Sequence, residues 1–300
     1  MKIKNNYELS LKPLYIGFIA AAVVCVVLRI IQTARFIDPE TGFTVGGAAL
    51  SLLLYAVIAA FTVFSLVTSF LSKQCSEFAC IGSKNFLLGC VTAFFGVTLS
   101  YDCLYSLFSA FESLSASTSM SGVKGLMSTG SLPLAVQSFF AFFASFYVYI
   151  LASGFFRGTD KASGHKLLAL APVGWAAFRL IHRFIRQISY IEVSDLFLEL
   201  IMLGLAVMFF VAFAQVNSGV YSDGFTWRIT GFGFPAALIA LTLSLTRLVF
   251  SFVSGGSFIN PEHPFNIADF AFSIFVIVML FVLRKHLSEN TMDKIQKEVN

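Results

Sequence analysis

Charged residues are scarce in this sequence. Asp, Glu, Lys and Arg make up only 12% of its 300 residues, whereas ordinary soluble domains carry roughly 25%. So few charges would not cover the surface of a water-soluble domain. Aromatic residues are not scarce, and the 36 Phe residues exclude an intrinsically disordered chain. The composition therefore predicts an integral membrane protein whose partner is the lipid bilayer and not a nucleic acid.

Motifs of common enzyme and metal sites are also missing. The sequence has no His-Glu-x-x-His helix, no P-loop and no paired His ligands, and its four His residues are scattered. The Ser-Gly-Gly-Ser stretch at 254–257 has no obvious base partner nearby, which argues against a serine hydrolase. From these absences we predict that the chain is not an enzyme, has no catalytic residue, and binds neither a metal nor a cofactor.

Long apolar runs are abundant. A helix rises about 1.5 Å per residue and needs roughly 20 apolar residues to cross a hydrocarbon core of about 30 Å. The sequence predicts an all-α, polytopic transmembrane helix bundle, forming one membrane domain over 1–300, with about eight spans and seven as the alternative. The predicted spans are 14–34, 47–70, 86–110, 133–156, 167–186, 194–215, 229–252 and 266–284.

The distribution of basic residues predicts the orientation. With eight spans, 13 of the 20 Lys and Arg residues fall on the side of the two termini, as the positive-inside rule requires for the cytoplasmic face. Span 167–186 is the least secure because it contains Arg179 and Arg183, but without it the basic C-terminal tail would lie outside. We expect a plasma (inner) membrane protein with both tails, 1–13 and 285–300, in the cytoplasm.

The spans show signs of an internal repeat. A Phe-Ile-Asp-Pro-Glu turn at 36–40 follows the first span, and Phe-Ile-Asn-Pro-Glu at 258–262 follows the seventh. Aligning the spans on these turns predicts four helical hairpins of common ancestry, although apolar helices with an Arg near the exit also resemble one another by chance. Asp102 occupies, in the second hairpin, the position that Arg holds in the other three. Those arginines are Arg29, Arg179 and Arg247.

Charges inside the predicted spans all fall in their extracytoplasmic halves. Taken singly, Arg29 and Arg247 are close enough to the exit to act as interfacial anchors that snorkel to water. Asp195 and Asp269 each begin a helix, where a carboxylate interacts favourably with the helix dipole. Asp102 is different, because its short side chain lies too deep to reach water and must be neutralised, paired or solvated.

We therefore expect a polar centre that opens to the outside and serves as a substrate-binding site. Its predicted members are Arg29, Arg179, Arg247, Asp102 and Glu199. Three arginines against two acids leave a surplus of positive charge, which suits a carboxylate or phosphate ligand. The inner halves carry no ionised group, which argues against a simple open pore.

Two functions remain open at this point. The first is a permease-like or solute-binding protein that holds a small anionic solute in the polar centre. The alternative is a non-catalytic membrane scaffold or accessory subunit, bound to other membrane proteins, whose charges tie its own helices together.

Overall fold

The protein is described by a computed structural model over residues 11–36, 46–72, 84–116, 131–159, 164–185, 193–218, 226–253 and 266–299. Every regular element in these ranges is a helix, which confirms the predicted all-α bundle. In chain order the helices are α1 (Lys12–Phe36), α2 (Ala48–Leu71), α3 (Phe86–Ala116), α4 (Ser131–Arg157), α5 (Ala171–Ile185), α6 (Val193–Asn217), α7 (Thr226–Val253) and α8 (Ile267–Val299). A short 3₁₀ turn, Leu168–Leu170, leads into α5.

Seven of these helices are long and apolar enough to cross a membrane, and Ile267–Leu283 within α8 is a shorter apolar stretch. The chain is therefore a multi-pass membrane protein with seven to eight spans, as its composition predicts. The kind of membrane and the cytoplasmic position of the termini stay predictions.

Two helices run well beyond the predicted spans. Helix α3 continues past residue 110 to Ala116, and α8 continues past residue 284 to Val299. The sequence has no Gly or Pro between Gly96 and Gly122, or after Pro264, so nothing in either stretch breaks the helix. Apolarity marks where a helix can lie in lipid, but it does not mark where the helix ends.

Helix α7 lies at the centre of the bundle and packs against α1, α2, α6 and α8. It can do so because small residues line it and let neighbouring backbones approach. A Cβ at Gly233 would lie 3.0 Å from the ring of Phe209 on α6. Helix α3 packs against α4 and α8, and α5 joins α4 to α6, which closes the bundle.

Each predicted hairpin is a packed pair, because α1 contacts α2, α3 contacts α4, α5 contacts α6, and α7 contacts α8. The turns 36–40 and 258–262, which carry the repeated pentapeptide, lie almost wholly outside the described residues. The common ancestry of the four hairpins therefore stays a prediction.

The start of α2 depends on one glycine. Gly47 caps the helix with a φ of +67°, a left-handed conformation that favours glycine. A Cβ at this position would lie 2.6 Å from the ring of Phe36, the last residue of α1. This close approach brings the start of α2 against the end of α1, and so places Ser51 beside Gln32, which is a contact of the site described below.

Candidate functional site

The buried charges of the bundle gather at one end, where α1, α5 and α7 finish and α6 and α8 begin. We call this region the polar end. Four arginines and three acids meet there through ion pairs between helices. These residues, named here the charge cluster, are Arg29, Arg179, Arg183, Asp195, Glu199, Arg247 and Asp269.

Arg179 on α5 is the hub of the charge cluster. Its two terminal nitrogens donate to the two carboxylate oxygens of Asp269 on α8, at 2.5 and 2.7 Å, and Nη2 also donates to Glu199 Oε1 on α6 at 3.2 Å. Its side chain is 3% exposed. The planar guanidinium presents its donors as a fork, which is why one arginine can join three helices.

Glu199 uses one oxygen for all its hydrogen bonds within the described residues. Oε1 accepts from Arg179 and from Arg183 Nε at 3.1 Å, while Oε2 is buried and has no hydrogen-bond partner. The side chain is 1% exposed. An ionised carboxylate this deeply buried normally has both oxygens satisfied, because leaving one bare costs the desolvation of that atom.

Arg29 on α1 extends the charge cluster toward α2. It forms an ion pair with Asp195 at the start of α6. Its Nη1 donates to Gln32 Oε1 at 2.7 Å, and Gln32 Nε2 donates to Ser51 Oγ at 2.7 Å. Arg29 is only 2% exposed, so it does not snorkel to the membrane surface as a lone anchor would.

Arg247 on the central helix α7 is the least tightly paired arginine of the cluster. Its Nη2 lies 3.5 Å from Asp195 Oδ2 and 4.0 Å from Glu199 Oε2. No acceptor among the described residues hydrogen-bonds this buried nitrogen. Asp195, its neighbour, is 24% exposed, so the cluster reaches the molecular surface on the Asp195 side.

Asp102 lies beside the charge cluster and not in it. Its Oδ2 accepts from Trp175 Nε1 at 2.7 Å and from Gln137 Nε2 at 3.1 Å. Gln137 Nε2 also lies 3.0 Å from Ser106 Oγ. Within the described residues, no Lys, Arg or His comes within ion-pair distance of Asp102. Two neutral N–H groups donate to Oδ2, and Asp102 lies outside the ion pairs of Arg29, Arg179 and Arg247, which differs from the expectation that it meets these arginines in one polar centre.

Trp175 links the two parts of the site. Its indole N–H reaches Asp102, and the guanidinium of Arg179, one turn later on α5, lies 5.7 Å from the centre of its ring. An arginine over a tryptophan face is a favourable cation–π arrangement. The Trp175 indole therefore contacts both Asp102 and Arg179.

Of the residues predicted for the site, the structure brings Arg29, Arg179, Arg247 and Glu199 together and leaves Asp102 adjacent. The interpretation of Arg29 and Arg247 as surface anchors is wrong, because both are buried between helices. Asp195 and Asp269 do begin helices, and Asn266 caps α8 by accepting from the Ala268 amide at 2.8 Å. Their carboxylates nevertheless point to arginines.

Three cluster members were missed as ligands: Arg183, Asp195 and Asp269. Helical spacing would have found the first, because Trp175, Arg179 and Arg183 recur every four residues and so share one face of α5. Among the described residues, no three His, Cys, Asp or Glu side chains are placed to hold a metal ion.

Comparison with known proteins gives one partial similarity. The chain is 28% identical over 116 residues to an uncharacterized sugar transferase of Haemophilus influenzae. The aligned stretch covers 39% of this chain and 23% of that protein, so it spans less than a quarter of the relative. No protein family matches the chain, and no solved structure matches it.

This similarity corrects one sequence-based prediction. Missing soluble-enzyme motifs led to the expectation that the chain is not an enzyme, and the resemblance to a sugar transferase contradicts it. The missing motifs are those of hydrolases, metalloenzymes and nucleotide-binding domains, and their absence does not exclude other classes of enzyme.

Proposed function

We propose that the charge cluster is the binding site of a permease-like or solute-binding membrane protein, and that its ligand is a small anion. The observation that carries this proposal is the local charge balance. Four arginines ion-pair with three acids, while Asp102, which would balance the fourth, is held apart by Trp175 and Gln137.

The position of the surplus charge supports the same reading. Arg247 has the longest ion-pair distances in the cluster and a buried nitrogen without an acceptor, and it lies beside the partly exposed Asp195. A ligand oxygen there would receive the missing hydrogen bond, and the guanidinium groups of the cluster suit a carboxylate or phosphate ligand.

The test is ligand-dependent thermal stability of the purified full chain in detergent. Inorganic phosphate or a short carboxylate at millimolar concentration should raise the unfolding temperature, since a ligand at 100 times its Kd adds about 2.7 kcal/mol of stability. Equal ionic strength of sodium chloride is the salt control. If no anion stabilises the chain beyond the chloride control, the proposal fails.

Variants distinguish binding at the cluster from binding elsewhere. Arg247→Gln should abolish the anion-dependent shift without unfolding the chain, because Arg247 makes no close ion pair. Arg157→Gln is the matched control, since it removes one positive charge from an exposed position at the far end of α4. Equal loss of the shift in both variants would point to a nonspecific effect of net charge.

A second candidate function, glycosyl transfer, is favoured by the similarity to the sugar transferase. Activated sugars carry phosphate, so such an activity would also require an anion site of the kind proposed. The test is incorporation of radiolabelled sugar from a nucleoside diphosphate sugar into the lipid fraction of proteoliposomes containing the chain. Incorporation that is lost in Arg247→Gln and kept in Arg157→Gln would favour transfer over simple solute binding.

A further inference from the structure

The charge cluster contains a hydrogen-bond donor and a hydrogen-bond acceptor that lie close to each other, and neither has a hydrogen-bond partner in the described part of the chain. Glu199 Oε2 and Arg247 Nη2 are each buried and lack a hydrogen-bond partner among the described residues. They lie 4.0 Å apart, which is too long for a hydrogen bond between them. Both side chains are at least nine-tenths buried, so bulk water does not compensate either atom.

The two atoms require different hydrogen-bonding groups from a ligand. The carboxylate oxygen of Glu199 only accepts, whereas the guanidinium nitrogen of Arg247 only donates. An oxygen of phosphate or carboxylate could accept from Arg247 but would be repelled by Glu199. A hydroxyl group satisfies both, because its oxygen accepts from the guanidinium while its proton is donated to the carboxylate.

The spacing fits a single bridging oxygen. An oxygen at about 2.8 Å from each atom, an ordinary hydrogen-bond length, spans the 4.0 Å gap with a bend near a right angle at the bridge. The remaining oxygen of Glu199 is held by Arg179 and Arg183, which fixes the carboxylate in this orientation.

We propose that the charge cluster recognises a hydroxylated anion, such as a hydroxy acid or a sugar phosphate. The hydroxyl bridges Glu199 Oε2 and Arg247 Nη2, and the surplus positive charge of the cluster binds the anionic group. This inference rests on the proposed anion binding and specifies which anions bind.

The experiment compares ligands that differ only in their hydroxyl groups. The affinity of the full chain in detergent is measured by calorimetry for lactate against propionate, and for glycerol 3-phosphate against propyl phosphate. The hydroxylated member of at least one pair should bind about tenfold more tightly or better, since a site built to hydrogen-bond a hydroxyl discriminates strongly against its absence. The pair that shows the preference identifies the carboxylate or the phosphate class.

The possible failures are distinguishable. Equal affinity within both pairs would overturn the hydroxyl bridge, with water filling the gap, and would leave anion binding intact. Binding of neutral glycerol as tight as that of glycerol 3-phosphate would overturn the anionic class. Absence of binding by every ligand would overturn both proposals.

A conservative variant locates the preference. Glu199→Asp keeps the negative charge but withdraws the carboxylate by one methylene, so the hydroxyl preference should fall toward one while anion binding persists. Arg157→Gln, at the far end of the bundle, should keep the full preference. Preference unchanged in Glu199→Asp would overturn the assignment to Glu199, provided that circular dichroism and gel filtration match the wild type.

Discussion

The two ends of the helix bundle differ in how their buried polar groups are paired. At the polar end, buried charges neutralise one another across helices, as Arg179 does with Glu199 and Asp269. At the opposite end, the buried polar groups of the described residues are uncharged, and several bond to backbone carbonyls, as Tyr15 does with Leu280 at 2.8 Å. Charges need charged partners, whereas hydroxyls can use carbonyls that every helix offers.

This difference indicates which end of the bundle a ligand would stabilise more. Hydroxyl-to-carbonyl bonds add modest stability, about 0.6 kcal/mol on average in membrane helices, and the buried atoms at that end that lack a partner among the described residues, such as Ser69 Oγ, are uncharged. A network of charges stays costly wherever one member lacks a partner, and this cluster leaves atoms of Glu199 and Arg247 bare. The polar end is therefore the part of the bundle in which a ligand would change the free energy most.

The largest effect expected is from removal of the hub. Arg179→Leu leaves the carboxylates of Glu199 and Asp269 without their shared partner, and should lower the free energy of unfolding by about 3–5 kcal/mol. Denaturant unfolding of the purified chain measures this. Adding Asp269→Asn should recover part of the loss, because it removes one of the stranded charges. A single variant as stable as the wild type would show that the two ends do not differ.

Asp102 gives the next largest effect. Asp102→Ala leaves the N–H groups of Trp175 and Gln137 without their acceptor, which costs about 1–3 kcal/mol for each group left unsatisfied. Trp175 reports the change directly by fluorescence when Trp227 is replaced by Phe, because the chain has two Trp residues. Asp102→Asn keeps one acceptor oxygen and should be milder. Equal damage by both would mean that the charge of Asp102 matters more than its hydrogen bonds.

At the opposite end, Tyr15→Phe removes one hydroxyl that donates to Leu280 O. The ring still packs edge-on against Phe234 and Phe281, so we expect a loss of about 0.5–1.5 kcal/mol. Thermal unfolding at low and high salt checks this, because a neutral bond should show no salt dependence. A loss as large as that of Arg179→Leu would contradict the contrast between the ends.

The smallest effect is expected for Ser65→Ala. Ser65 Oγ lies 3.3 Å from Gly231 O and 3.5 Å from Thr230 O, so it shares one proton between two long bonds. Those carbonyls belong to α7, whose own helix retains them, and the loss should be near 0.6 kcal/mol. The same unfolding assay measures it, and a loss above that of Tyr15→Phe would reverse the predicted order.

The sequence predicted most of the fold and named four of the seven residues of the charge cluster. Lengths of apolar runs predicted every helix, because the bilayer sets a minimum length that is read directly from composition. Helix ends were less accurate, since α3 and α8 continue past the end of their apolar stretches. In the site, depth singled out Asp102 and Glu199, and the repeat alignment singled out the three arginines, but neither revealed their partners.

Partners escaped the sequence because they lie on other helices. The donors to Asp102 come from α4 and α5, and the acids that hold Arg29 and Arg179 come from α6 and α8. In the sequence, an arginine near the end of a helix looks the same whether its side chain extends to water or pairs with a carboxylate on another helix. Rotation of each helix about its axis decides between them, and packing of neighbouring helices sets that rotation.

The amino-acid sequence by itself determined that this chain is a bundle of membrane helices with a few deep charges at one end, because hydropathy and depth are properties of single segments. Only the tertiary structure decided that these charges form ion pairs between helices and that Asp102 instead accepts a hydrogen bond from Trp175. It also decided that Glu199 and Arg247 lie close together with one buried atom each that has no hydrogen-bond partner among the residues that the structure describes. Such pairings depend on how helices rotate and pack, which involves residues far apart in the chain.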